Sequence, residues 1–223
     1  LWHLSHEGLD LEDPANEPDL DKDKFLEMSV SPYKAPDAAT EVSVDFEAGV
    51  PVAVNGEKMK VSKIIAKLNE LGGANGIGIL DIVENRLIGM KDHGIYETPG
   101  GTILYFAHEQ LEMLTLDKET AHMKSKLAVD YADLIYNGKW FSPLAEALTA
   151  FAKKANENCT GTVKLKLYKG NMINAGITSP YSLYSENLVT FGESDFNQAE
   201  AEGFINIWGL PTKVQALREQ GKL

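Results

Sequence analysis

Residues 41–54 read EVSVDFEAGVPVAV, and this stretch decides the fold class. Val42, Val44 and Phe46 alternate with polar residues, which predicts a strand with one buried face. Ala48-Gly49 predicts a turn, and Val50 to Val54 then form the return strand of a hairpin. The hairpin is a local antiparallel pair from which the remaining elements can be placed.

The region after this hairpin predicts a helix followed by a strand. Asn55-Gly56 is a strong turn signal. Ser62 is expected to cap a helix that passes through Leu71 and ends at Gly72-Gly73. Ile77 to Val83 predicts a buried strand. We expect residues 86–90 to continue or pair with it and residues 91–94 to form a turn.

The second half of the chain predicts more helices and another hairpin. We expect three long helices: one capped by Thr102 that runs to about Leu114, one capped by Asp117 that runs to residue 137, and one from Ser142-Pro143 to about Asn156. We also expect strands at 163–167 and 172–177, and short helices near 197–203 and 212–220. Helices and strands follow one another without regular alternation. We therefore expect an α+β fold with a mixed or largely antiparallel sheet packed with several helices.

The first 40 residues differ in composition from the rest. Residues 1–50 hold 13 acidic residues against three lysines, whereas the remaining chain is nearly balanced. Four prolines between residues 14 and 36 disfavour long helices and central strands. We expect residues 1–40 to be an acidic, mostly irregular connecting arm and residues 41–223 to form the main domain. The arm is either a free tail or a segment draped over another surface, since Leu11 and Phe25 could anchor it.

The net charge of −12 argues against function classes that need a basic surface. Nucleic acid and anionic membranes both attract clusters of Lys and Arg, so we expect neither as a partner. The longest apolar run is too short for a membrane span. The single cysteine, Cys159, fits the cytoplasm, where disulfides are rare. The chain begins at Leu1 without a start Met, and we expect an upstream part to be missing.

Two motifs resemble a phosphate-binding loop and a metal site, but the sequence around each argues against that function. Gly72 to Gly78 is glycine-rich like a phosphate loop, but these glycines follow a predicted helix and open a strand, the reverse of a dinucleotide fingerprint. His3 and His6-Glu7 have metal-ligand types, but no Cys or His cluster completes a shell, so we expect no metal site. No serine or cysteine lies in a nucleophile motif.

Ile82 to Arg86 and Gly94 to Thr102 remain as candidates for ligand binding. Glu84 follows an apolar strand, where its carboxylate could hold a ligand's ammonium by charge-assisted hydrogen bonds. The alternative is that this is a strand end whose charged side chains face water, or that Glu84 pairs with Arg86 in a turn. Tyr96 offers a hydroxyl among glycines that admit a ligand, or it packs in a tight strand-to-helix connection. For the similar stretch Ser179 to Tyr184, we expect a structural role rather than ligand binding.

Several stretches, in order along the chain, together resemble the argininosuccinate synthase family. They are Leu1 to Gly8, Leu11 to Pro14, Gly49 to Val52, Asp81 to Arg86, Gly94 to Leu104, Val163 to Gly170, Ser179 to Tyr184 and Gly203 to Ile205. The resemblance covers essentially the whole chain and is to the family's C-terminal synthetase domain. The Ser-Gly-Gly-x-Asp loop of the family's nucleotide-binding domain does not occur in it.

The resemblance implies a fold like that domain and a part in a cytoplasmic, homotetrameric ligase of arginine biosynthesis. In that reaction the ureido oxygen of citrulline attacks ATP, giving a citrullyl-adenylate and pyrophosphate, and the aspartate amine then displaces AMP to form argininosuccinate. ATP and Mg²⁺ would be held mainly by the nucleotide-binding domain and not by this chain. The 223-residue chain alone is therefore expected to be inactive, and residues 41–223 are expected to bind citrulline and to multimerise.

Carried over residue by residue, the resemblance implies that Ser5, Glu84 and Tyr96 contact citrulline. None of them need be an acid or base, so no catalytic residue is expected and their role is to position the substrate. The family usually has Arg where this chain has Ile79, His93 and Ile177. His93 could donate when protonated, whereas isoleucine cannot. A non-catalytic substrate-binding or oligomerisation module with the same fold is the alternative that these departures favour.

Overall fold

The described residues form eight β-strands and seven α-helices in the computed structural model, which describes residues 1–190, 192, 195 and 197–223. The strands are β1 (Leu4–Glu7), β2 (Thr40–Glu47), β3 (Val50–Val54), β4 (Glu57–Lys58), β5 (Ile79–Asn85), β6 (Lys91–Glu97), β7 (Gly161–Tyr168) and β8 (Asn171–Thr178). The helices are α1 (Val61–Ala74), α2 (Pro99–Thr115), α3 (Lys118–Tyr136), α4 (Pro143–Ala155), α5 (Glu186–Val189), α6 (Glu200–Trp208) and α7 (Leu210–Glu219).

The predicted hairpin lies in a five-stranded sheet with the order β4-β3-β2-β7-β8, and its neighbouring strands are all antiparallel. Val44 faces Val54 on one side and Val163 on the other. The alternation of β2 and β7 predicted from the sequence is confirmed, since every second side chain of both strands is buried.

Helices α1 and α2 pack on this sheet and complete its core. The side chains of Ile64, Leu68, Ile103 and Leu111 are all fully buried there, together with those of β2 and β7. Burying an aliphatic side chain of this size stabilises the fold by roughly 1.5–3 kcal/mol. This helix-on-sheet layer is the main apolar core of the described chain.

The prediction that Gly72-Gly73 ends the first helix is wrong, because α1 continues to Ala74. Both glycines instead permit close packing. A Cβ on Gly72 would lie 2.9 Å from Ile103 Cδ1, and one on Gly73 would lie 2.0 Å from the Met28 carbonyl oxygen. The prediction that Ser62 caps this helix is also wrong, since α1 begins at Val61 after Lys60.

Strands β1, β6 and β5 form a separate three-stranded antiparallel sheet in that order. The prediction of a turn at residues 91–94 is wrong because these residues begin β6. The turn instead occupies residues 86–90, where the Arg86 amide donates to the Met90 carbonyl. The strand predicted at Ile77 to Val83 forms as β5, two residues later, but the prediction that it is buried is wrong, since Leu80 and Val83 are about half exposed.

Helices α3 and α4 begin at their predicted caps, whereas α2 does not. The Asp117 carboxylate accepts from the Thr120 amide at 2.9 Å, and the Ser142 hydroxyl accepts from the Ala145 amide at 3.2 Å. Helix α2 starts at Pro99, so the prediction of a Thr102 cap is wrong. The first residue of a helix has no partner for its backbone N–H, so a proline, which lacks this N–H, is favoured there. This explains why α2 starts at Pro99, before Thr102.

The expected α+β class with largely antiparallel strands is confirmed, although the strands divide between two sheets. Residues 1–183 form one compact unit and residues 184–223 a second, which holds α5, α6 and α7. Within the described part of the chain, no helix is both long and apolar enough to cross a bilayer. The first 40 residues contain β1 and two short 3-10 turns, and the Val30 amide donates to the Gly73 carbonyl.

Candidate functional site

The three-stranded sheet brings the three predicted site residues to one face. Ser5 lies directly opposite Tyr96, which in turn lies opposite Leu80. Glu84 is four residues along β5 from Leu80. Directly opposed residues of an antiparallel pair share a face, and so do residues two or four apart along one strand. We call this the front face: Ser5, Glu7, Leu80, Ile82, Glu84, Asp92, Gly94 and Tyr96.

The Tyr96 hydroxyl donates a hydrogen bond to the Glu84 carboxylate. This diagonal contact passes over position 94, where glycine presents no side chain. A Cβ there would lie 3.5 Å from the Tyr96 ring and 3.3 Å from the Glu7 side chain. The hydrogen bond to Glu84, together with burial, raises the pKa of Tyr96, so the phenol remains a neutral donor at physiological pH.

Arg86 pairs with two other acids of the front face. Its Nη2 atom lies 3.0 Å from Glu7 Oε2 and 2.8 Å from Asp92 Oδ2. The alternative of a Glu84–Arg86 pair is therefore not what forms, since Glu84 bonds to Tyr96 instead. Arg86 ties β1 to β6 and leaves the Glu84 carboxylate facing the phenol.

The opposite face, which we call the rear face, is held by a buried carboxylate. Glu97 is fully buried and accepts from the Glu27 and Met28 amides at 2.9 Å, with His6 Nε2 at 2.7 Å. Burial alone would raise the pKa of Glu97, but these hydrogen bonds outweigh it and hold the pKa below its usual value. The sequence did not predict the pairing of Glu97 with His6, Glu27 and Met28, because these contacts join residues about 70 to 90 positions apart.

His3, His6 and Glu7, which have metal-ligand residue types, lie on different sides of the three-stranded sheet. His6 and Glu7 are adjacent in β1, so their side chains point to opposite faces. The His3 ring lies 5.9 Å from the Tyr96 ring, beside the front face. These residue types do not converge on one point.

The three positions at which the resemblance implies Arg lie in different surroundings. His93 lies on the rear face, with its ring nitrogens against Asp81 and the Leu11 carbonyl. Ile79 lies opposite Glu97 in the sheet, and Ile177 packs against the main apolar core. Only His93 keeps a polar link between strands.

A second cluster of ionisable groups lies between α2 and α3, away from the predicted residues. Glu112 Oε1 lies 3.1 Å from His108 Nδ1 and 2.5 Å from Lys124 Nζ, beside a cavity of about 590 Å³. His108, Glu112 and the buried Cys159 place their ligand-type atoms within 4.8 Å of one another. The Lys124 ammonium already neutralises the carboxylate that a metal ion would need, so the donor set fits a metal poorly.

The front face suits recognition of a small cationic group. It holds three carboxylates and the Tyr96 and Ser5 hydroxyls, and the Arg86 guanidinium beside it pairs with two of the carboxylates. Such a set binds an ammonium by charge-assisted hydrogen bonds and orients it. Sequence reasoning identified Glu84 and Tyr96, but Gly94 to Glu97 belong to β6 rather than to a strand-to-helix connection. Glu7 and Asp92 were missed because only the register places them beside Arg86.

Comparison with known proteins gives one family. The family model described as "Arginosuccinate synthase C-terminal domain" matches residues 1–215. Similar curated proteins include the argininosuccinate synthases of Acetivibrio thermocellus (59% identical over 221 residues, 99% of this chain and 54% of the relative), Carboxydothermus hydrogenoformans (60% over 221, 99% and 54%) and Clostridium botulinum (59% over 217, 97% and 53%). The chain spans about half the length of the curated relatives it matches.

Proposed function

Because the chain belongs to the argininosuccinate synthase family and matches its C-terminal domain, we propose that it is the C-terminal part of an ATP-dependent ligase. The ligase would join citrulline and aspartate to form argininosuccinate, with release of AMP and pyrophosphate, in arginine biosynthesis. The observation that carries this proposal is the convergence of Ser5, Glu84 and Tyr96 on the front face of one small sheet.

In this proposal the front face binds citrulline. The Glu84 carboxylate accepts from the α-ammonium, which replaces or shares the hydrogen bond from Tyr96. The Tyr96 and Ser5 hydroxyls then hydrogen-bond polar groups of the same substrate. Arg86 keeps Glu7 and Asp92 paired, so that Glu84 is the front-face acid left to meet the ammonium.

The role of these residues is positioning rather than proton transfer. The ureido oxygen of citrulline attacks the α-phosphorus of ATP, and the aspartate amine then displaces AMP. Such a reaction depends on in-line placement of the reacting groups. A substrate anchored at its ammonium extends its ureido end away from the sheet, toward whatever holds the nucleotide.

ATP, Mg²⁺ and aspartate would be bound mainly outside this chain, as the resemblance implies. We propose no ATP or Mg²⁺ ligand among the described residues. The 223-residue chain alone is therefore expected neither to hydrolyse ATP nor to exchange pyrophosphate into it. Measurable exchange by the purified chain would contradict this division of the site.

We also propose that the complete enzyme is a homo-oligomer, a tetramer as the resemblance implies. The second unit supports this, because α6 and α7 expose large apolar side chains: Phe204, Ile205, Ile207, Trp208, Leu210 and Val214. Contiguous exposed apolar groups commonly mark association surfaces. The same observation favours the alternative, a non-catalytic oligomerisation module with this fold.

The coding sequence upstream of Leu1 separates the ligase from the non-catalytic module. An open frame that encodes a Ser-Gly-Gly-x-Asp loop would support the ligase. A start codon directly before Leu1 would overturn it, because the nucleotide could then not be held in the same polypeptide.

The substitution Glu84→Gln tests the proposed citrulline site in the full-length protein. It keeps the side chain's shape and removes its charge, so citrulline binding should weaken by about 1.5–3 kcal/mol, the scale of a charge-assisted hydrogen bond. Isothermal titration with citrulline measures the change. Glu41→Gln, on the exposed surface of β2, is the matched control and should leave the affinity unchanged. Unchanged affinity in Glu84→Gln would remove Glu84 from the site.

A further inference from the structure

His93 faces a hydrogen-bond acceptor at each ring nitrogen. Nδ1 lies 2.6 Å from the Leu11 carbonyl oxygen, and Nε2 lies 2.7 Å from Asp81 Oδ1. The His93 side chain is only 7% exposed, whereas that of its partner Asp81 is 48% exposed. A neutral imidazole has one N–H, and neither partner can donate. Both contacts are therefore satisfied only by the doubly protonated imidazolium.

These two contacts span the whole three-stranded sheet. Asp81 lies on β5, His93 on β6, and Leu11 in the 3-10 turn Leu9–Glu12 that follows β1. The Leu11 side chain is buried, and its amide donates to the Gly8 carbonyl, so the turn is tied directly to the end of β1. Strand β1 has four residues and pairs only with β6 within the described sheet. Such a short edge strand depends on contacts of this kind for its position.

We propose that His93 is a positioning residue whose imidazolium clamps the turn after β1 to β5 and so holds Ser5 against Tyr96 and Glu84. The clamp lies on the rear face and acts on citrulline only through the placement of β1. The inference rests on the proposed citrulline site for its functional consequence, whereas the clamp itself stands on the ring geometry.

The charges around the ring favour its protonated form. The groups that face it or line the adjoining recess are Asp81 on β5, Asp92, Arg86 and Lys91 on or beside β6, and Glu7 and Glu12 on or after β1. Acids therefore outnumber bases around His93. The Asp81 carboxylate first, and then the Leu11 carbonyl, raise the pKa of His93 above its usual value of 6.5.

The sign of the pH effect follows from this raised pKa. The stabilisation by the clamp is fully present below about pH 6.5, the unfolded-state value, and is lost as pH rises through the higher folded-state pKa. Deprotonation leaves one ring nitrogen without a proton and therefore one acceptor without its donor. Citrulline affinity should fall over the same interval.

Two substitutions at one position separate charge from shape. His93→Arg keeps a positive charge and several donors at every accessible pH, whereas His93→Gln leaves a neutral amide. In the full-length protein, wild-type citrulline affinity should fall about tenfold between about pH 6 and about pH 8.5, an ordinary size for coupling between two sites. His93→Arg should bind tightly throughout this range, and His93→Gln weakly throughout it. The same pH dependence in His93→Arg as in wild type would overturn the proposal.

A measurement on the ring itself keeps the clamp testable apart from citrulline. Long-range ¹H–¹⁵N spectra of the 223-residue chain, recorded over a series of pH values, should show that both His93 nitrogens stay protonated above about pH 6.5, the midpoint for an ordinary histidine. A His93 ring that loses its second proton at or below about pH 6.5 would overturn the clamp. If the wild-type full-length protein binds no citrulline, the proposed function fails, and these spectra alone then support or overturn the clamp. Should His93→Gln not fold, the wild-type and His93→Arg profiles still decide the outcome.

Discussion

The two sheets of the first unit are held together by different interactions. In the five-stranded sheet, β2 and β7 bury every second side chain beneath α1 and α2. In the three-stranded sheet, Leu80 and Val83 are about half exposed, and the strands are tied by contacts between ionisable side chains: His6 with Glu97, Arg86 with Glu7 and Asp92, and His93 with Asp81.

This difference separates stability from recognition. Apolar burial is non-directional and tolerates small shifts, so it suits the part of the chain that makes the fold. Hydrogen bonds and ion pairs between ionisable side chains are directional and depend on pH, so they suit a surface whose groups must be held in register. We infer that the larger sheet is the scaffold and that the smaller sheet is the recognition surface.

The largest expected effect is the loss of a core side chain from the scaffold. Leu68 of α1 is fully buried, and Leu68→Ala should lower the free energy of unfolding by about 2–5 kcal/mol because it leaves a cavity. Leu80→Ala makes the same change on β5, where the side chain is 54% exposed, and should cost less than about 1 kcal/mol. Urea unfolding of both variants measures the contrast. Equal losses would break the distinction between the two sheets.

A smaller effect is expected where the arm crosses the scaffold. Gly73→Ala would place a Cβ 2.0 Å from the Met28 carbonyl oxygen, and this backbone atom cannot rotate away. We expect a loss of about 2–3 kcal/mol from overpacking, larger than the gain of up to about 1 kcal/mol in helix propensity. Gly203→Ala in α6, where nothing lies within 4 Å, is the control. Thermal unfolding should show that Gly203→Ala is neutral or stabilising.

The Met28 amide donates a hydrogen bond to the Glu97 carboxylate. A substitution at Glu97 therefore tests the polar contacts of the smaller sheet. Glu97→Gln keeps one acceptor oxygen but directs an NH₂ group at a backbone donor or at His6. We expect a loss of about 1.5 kcal/mol in the free energy of unfolding, the lower end for hydrogen bonds to charged groups. Glu47→Gln, in an exposed ion pair with Lys58, should change it by less than about 0.5 kcal/mol.

The pH dependence of Glu97→Gln adds a second check. Because the pKa of Glu97 is lowered on folding, its contribution is present above the ordinary value of 4.5 and is lost as pH falls through the folded-state pKa. The difference in stability between wild type and Glu97→Gln should therefore shrink in acid. A difference that does not change with pH would mean that the charge of Glu97 contributes nothing.

The sequence predicted the scaffold better than the recognition surface. The alternation in β2 and β7 and the caps at Asp117 and Ser142 depend on neighbouring residues, and the structure confirms them. The turn at 86–90 was missed because the apolar residues Leu87, Ile88 and Met90 there read as strand, although the structure leaves them exposed. Gly72 and Gly73 were taken for a helix end because their true neighbours, Ile103 and Met28, are distant in sequence.

The candidate site shows the same limit. Glu84 and Tyr96 were identified from their residue types and from the family resemblance, and the structure adds their mutual hydrogen bond. The pairing of Arg86 with Glu7, and the burial of Glu97 against the arm, join residues far apart along the chain. Local patterns contain no information on such pairs, because they depend on strand order and register.

The most direct test of the central claim is to map citrulline on the full-length protein by crystallography of the complex. We expect the citrulline ammonium to lie within hydrogen-bond distance of Glu84 on the front face, with Ser5 and Tyr96 in contact with the same molecule. Citrulline bound instead in the cavity beside His108 and Glu112, or nowhere on the three-stranded sheet, would contradict the claim that the smaller sheet is the recognition surface.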